Sequence, residues 1–79
     1  MIEKNVDILK QIMISVLDLD DNIEFSKLTQ KNLDKWDSMA IVNLVVAVES
    51  DLGVKINNEE FKNFISFQNI VSILEKKGL

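Results

Sequence analysis

The sequence predicts an all-α fold: a small four-helix bundle with a long loop between helices 1 and 2 and a short third helix. Three observations predict it. Proline is absent and glycine occurs twice, so neither breaker interrupts the periodic stretches. Apolar residues recur at helical spacing in the first and last segments. The one stretch rich in β-branched residues has no second strand of comparable strength to pair with. At 79 residues, 47% of them apolar, the chain holds one small core and is not disordered by composition.

In the first segment Ile2, Val6, Leu9, Met13 and Val16 form a helical stripe that Ile8, Ile12 and Leu17 widen. Glu3, Lys4, Asp7, Lys10 and Gln11 fill the opposite side. This spacing predicts an amphipathic helix of about four turns. Residues 18–37 then form a connection of roughly twenty residues, a length that compact domains seldom tolerate without a reason. Leu19, Ile23, Phe25, Leu28, Leu33 and Trp36 give it apolar anchors with which to cross the bundle.

Met39–Val48 alone resembles a buried strand. Three signals make it a helix instead: its extension through Leu52 to about fifteen residues, an N-cap signal at Asp37-Ser38, and Gly53 as a terminator. A helix apolar nearly all round, in so small a bundle, leaves part of its surface for binding. Asn57, with Glu60 three residues on, reads as a capping box starting a short helix that ends near Phe64. Phe67, Ile70, Val71 and Leu74 mark the last helix. Ser66 is its cap, Lys76 and Lys77 suit its negative end, and Gly78 closes it.

Several chemistries are excluded. Without cysteine there is no disulfide, thiolate metal site or thiol nucleophile, and without histidine the usual general base is missing. The two glycines lie far apart, so no glycine-rich loop cradles a phosphate. Asp18, Asp20, Asn22 and Glu24 have the rhythm of a calcium loop. However, Ile23 replaces its turn glycine and Thr29 its bidentate glutamate, so a solvated acidic loop is the better reading. Nine basic against thirteen acidic residues leave a net charge of −4, which disfavours nucleic acid and anionic membrane and favours basic protein partners. The opening decapeptide has no signal-peptide core and no apolar run is long enough to span a bilayer, so a cytoplasmic monomer is expected.

Ser38 remains, heading an apolar helix after a long loop. By position it reads as a cap or first-turn serine. Alternatively it is an exposed hydroxyl carrying a phosphodiester, which a helix N-terminus favours.

The run Leu33-Asp34-Lys35-Trp36-Asp37-Ser38-Met39, followed by Ala40–Glu49, resembles the attachment motif of acyl carrier proteins. In that family an Asp-Ser-Leu triplet opens the second helix, and the serine receives 4′-phosphopantetheine from a Mg-dependent phosphopantetheinyl transferase using coenzyme A. The resemblance extends over nearly the whole chain: long first helix, anchored loop, serine-headed helix, Gly53–Ile56, short third helix, closing helix. It implies a single carrier domain over residues 1–79 and 4′-phosphopantetheine on Ser38, flanked by Asp37 and Met39. The implied function is tethering acyl or aminoacyl groups as thioesters and presenting them to loading and transferring enzymes. Such a carrier performs no chemistry itself, and its thiol comes from the cofactor.

The resemblance further implies that Met39, Val42, Val46 and Ile56 line an acyl cavity or meet partner enzymes, with Asn43 and Glu49 on the same recognition surface. Core packing is the other reading of these apolar residues, and for Val42 and Val46 both can hold. Trp36 reads as a packing anchor whose indole is also placed to shelter the root of a prosthetic arm. Met39 stands where the family usually has leucine, a swap of similar volume. Ala40 and Asn43 occupy positions often acidic in the family. With less charge to steer general fatty-acid enzymes, a specialised carrier with a dedicated, more apolar partner is expected. The alternative is a carrier-fold interaction module that is never modified.

Overall fold

A computed structural model describes residues 1–79. Four helices follow in order: α1 (Glu3–Leu17), α2 (Ser38–Leu52), α3 (Asn58–Lys62) and α4 (Phe67–Lys76). The chain has no β-strand, and the Cα radius of gyration, 11.3 Å, matches the roughly 11.5 Å of a compact chain of this length. No helix is long and apolar enough to cross a membrane.

Helix α1 buries Leu9, Ile12, Met13 and Leu17, the inner half of its predicted stripe. Ile2 does not join them: it precedes the helix and is 62% exposed. The helix closes on Asp18, which adopts the left-handed conformation (φ 53°) so that the Asp18 and Leu19 amides both reach the Ile14 carbonyl. Aspartate is among the few non-glycine residues that tolerate this geometry.

The loop from 18 to 37 is tied down as its apolar anchors require. Leu28 and Trp36 are buried, and Leu19, Ile23, Phe25 and Leu33 pack at the core's edge. Two short 3₁₀ turns, Phe25–Lys27 and Gln30–Asn32, give it internal order that the sequence did not announce. Its middle is stitched to the junction before α4 by the Gln30 amide on the Ile65 carbonyl (2.7 Å) and the Phe67 amide on the Leu28 carbonyl (3.1 Å).

Helix α2 turns Ala40, Ile41, Leu44, Val45 and Val48 inward and packs mainly against α1. Gly53 (φ 67°) ends it in the left-handed conformation that glycine adopts without steric cost. Helix α3 begins with the predicted capping box: the Asn57 carboxamide accepts from the Glu60 amide (2.8 Å), and Glu60 Oε1 accepts from the Asn57 amide (3.0 Å). It stops at Lys62, earlier than the expected Phe64, because the chain leaves helical geometry after Asn63 to drive Phe64 into the core. No residue of α3 is itself buried. Helix α4 is capped by Ser66, whose hydroxyl accepts from the Asn69 amide (3.0 Å), and it buries Phe67, Ile70 and Leu74.

Candidate functional site

The start of α2 is fixed from both sides. Upstream, Trp36 is 1% exposed and its indole Nε1–H donates to the Phe64 carbonyl (3.1 Å). An indole so enclosed anchors the loop but offers no surface to a prosthetic arm, so the sheltering role read from the sequence does not hold. Downstream, Asp37 rather than Ser38 is the N-cap: its Oδ1 accepts from the Ala40 amide (2.9 Å). Ser38 is therefore the first helical residue, exposed to solvent, and its hydroxyl takes part in none of the chain's side-chain hydrogen bonds. The Ser38 and Met39 amides precede the first intrahelical donor and face outward as part of the positive helix end.

Ser38 thus combines an uncommitted hydroxyl with an environment that favours negative charge. A phosphodiester on Ser38 Oγ fits there, because the helix end that would face it carries unpaired N–H groups.

Below Ser38 an apolar stripe runs down the outer face of α2: Met39 (67% exposed), Val42 (41%) and Val46 (59%), with Asn43 exposed beside it. Val42 and Val46 are not core residues, so the packing reading falls for both. Ala40 is buried, and its lack of charge takes nothing from the exposed face. Ile56 is half-buried against the core. None of the molecule's grooves is lined by Met39, Val42, Val46 or Ile56. These valines stand out towards solvent while Ile56 packs inward.

Glu49 differs most from its sequence reading. It is half-buried, and its Oε2 accepts from the Ile56 amide (2.8 Å), tying α2 to the segment that leads into α3. A second carboxylate holds the other side of α3: Glu60 Oε1 also meets Lys77 Nζ at 2.9 Å, joining α3 to the end of α4. The Asn57 amide, and after it the Lys77 ammonium, hold the Glu60 carboxyl below its ordinary 4.5. Neither tie was read from the sequence, although the Asn57–Glu60 pair was.

The four-helix layout and the serine-headed α2 match the architecture that the sequence resemblance implies. No protein-family model matches the chain, and no solved structure matches it. A sequence relative does: the acyl carrier protein of Petrotoga mobilis is 33% identical over 70 residues, covering 87% of this chain and 81% of the relative. The chain belongs to the acyl carrier protein family. Members of that family are carriers rather than enzymes and normally bear 4′-phosphopantetheine.

Proposed function

We propose that this chain is a phosphopantetheinylated carrier modified on Ser38, which presents acyl or aminoacyl thioesters to the enzymes of a specialised pathway. The observation that carries this reading is Ser38 itself, an exposed, unbonded hydroxyl at the positive end of α2. When bound, 4′-phosphopantetheine supplies the thiol on which a thioester forms, a group the chain lacks. The protein's own residues do the rest. Asp37 fixes the first turn so that Ser38 Oγ stands clear of the backbone. The helix end stabilises the phosphodiester charge. Met39, Val42 and Val46 give the transferase and the loading enzymes an apolar surface beside the attachment point.

The pathway reading rests on that surface. It presents Asn43 among aliphatic side chains, and Glu49, the nearest acid further along α2, is engaged internally with Ile56. Partners of this face are selected by apolar fit more than by charge steering. Intact mass after incubation with coenzyme A and a broad-specificity phosphopantetheinyl transferase is the test. A single adduct is expected, and it should be absent from Ser38→Ala. An unmodified product leaves the interaction module as the function, and an adduct persisting in Ser38→Ala moves the site to another serine.

A further inference from the structure

Helices α1 and α2 pack against each other more extensively than any other pair of elements. Along one side of their seam they leave an open groove of about 400 Å³. Half-buried Ile8, Val16 and Ala47 form its apolar floor, and a carboxylate stands on either side, Asp7 from α1 and Asp51 from α2. No basic residue lines it. The chain's ion pairs join Met1 to Glu75, Lys27 to Glu24, Lys35 to Asp18 and Lys77 to Glu60, so both groove carboxylates are without a cation. Lys10, close by on α1, lies over the Phe25 ring at 5.4 Å instead.

An apolar floor flanked by unpaired carboxylates complements an aliphatic stem that ends in a cation, and of the two such side chains arginine is the better partner for a carboxylate. An arginine buries its alkyl stem on aliphatic surface and offers a planar fork of donors to a carboxylate. A lone carboxylate or a lone apolar dent would not discriminate, but the two together select a cation on an aliphatic stem. Asp51 lies thirteen residues beyond Ser38 on one helix, roughly 20 Å along its axis. A partner seated in the groove leaves the Ser38 end uncovered.

We propose that this groove is a second docking surface, taking an arginine-bearing basic segment of a partner protein while the attachment end of α2 stays free. A partner held there keeps the carrier at high local concentration while other enzymes visit Ser38. The inference does not depend on Ser38 being modified, and its test is made on the unmodified chain.

The probe is a blocked twelve-residue peptide with arginine and leucine alternating along one helical face, titrated into ¹⁵N-labelled Ser38→Ala protein. The amide signals of Ile8, Gln11, Ser15, Ala47 and Asp51 should shift together on one saturating curve. Replacing the peptide's arginines by neutral citrulline should weaken binding at least tenfold. So should the double variant Asp7→Asn/Asp51→Asn, whose Trp36 fluorescence should show an unchanged fold. Saturable shifts at Met39, Val42 and Val46 instead, or shifts spread over every acidic face without saturation, would overturn the proposal. Equal affinity for the citrulline peptide, or full affinity in the double variant, would overturn it as well.

Discussion

Trp36→Phe tests how firmly the turn that opens α2 is anchored. The substitution keeps an aromatic ring but removes the indole N–H that meets the Phe64 carbonyl at 3.1 Å. No backbone amide donates to that carbonyl, and Phe64 is fully buried, so the acceptor is left without a partner. An unsatisfied buried acceptor costs about 1–3 kcal/mol. The smaller ring also leaves roughly 40 Å³ unfilled, which at about 24 cal/mol per Å³ adds about 1 kcal/mol. The expected loss is therefore about 2–4 kcal/mol. A chain of this length has about 4–12 kcal/mol of stability in total. Urea denaturation followed by circular dichroism, which needs no tryptophan signal, measures the loss. A fall in Tm of at least about 8 °C should accompany it. Because Trp36 lies two residues before Ser38, amide exchange at Ser38 and Met39 should accelerate as well. A variant within about 0.5 kcal/mol of the parent would refute the reasoning, since it would mean that the carbonyl finds water and the loop holds without the indole.

Four further outcomes are expected. Asp37→Ala should cost about 1 kcal/mol in chemical denaturation, whereas Ser38→Ala should stay within about 0.5 kcal/mol, because the cap is Asp37. Glu60 has a folded pKa below its ordinary 4.5, so it stabilises the fold above that value and loses the contribution as pH falls through the folded pKa. Protection of the Asn57 and Glu60 amides, with the intrinsic pH dependence of exchange divided out, should therefore fall more steeply below pH 4.5 than elsewhere, and Glu60→Gln should flatten that dependence. At neutral pH, α3 should exchange before α1, α2 and α4, since none of its five residues is fully buried and only Phe61 among them packs at the core's edge; finding it among the most protected segments would contradict this. Met39→Asp or Val42→Asp should slow loading by the cognate enzyme strongly, and Asn43→Glu should improve acceptance by general fatty-acid enzymes. Glu49→Gln should matter less to loading and show itself as faster exchange of the Ile56 amide, with loading rates against salt separating the two effects.

What could be read from the sequence was local. Asn57 with Glu60, Ser66 before Phe67 and Gly53 after Leu52 carry their geometry in one turn of chain, and each is found where its spacing puts it. Helix α2 was harder, because apolar residues surround it and no polar stripe fixes its phase. Hence Val42 and Val46 were open to a core reading until α1 showed which side was inward. Trp36 could be read as an anchor but not by what it is anchored to, since a backbone carbonyl 28 residues away leaves no mark on composition. The bond that Glu49 makes was hidden for a related reason. An acid near a helix end reads as a surface charge, and only the turn at Gly53 brings the Ile56 amide back to it. At the start of α2, the Asp37-Ser38-Met39 triplet marked the beginning of a helix, whereas the division of labour between a capping aspartate and a free serine needed coordinates.

The stitches between the long loop and the residues before α4 bear on how the chain acquires its fold as it is made. Leu28, Gln30 and Trp36 find their partners in Phe67, Ile65 and Phe64, so none of the three can be satisfied until the chain has grown past α3. During translation α1 and α2 emerge first and can pair, but the indole beside the serine then stays exposed and unbonded. Ordering it afterwards closes a loop of about thirty residues, a step that slows folding more than it weakens the product. A chain that ended before residues 64–67 would display Ser38 on an unanchored turn. The turn that carries Ser38 is thus anchored only after the chain has grown past Phe67.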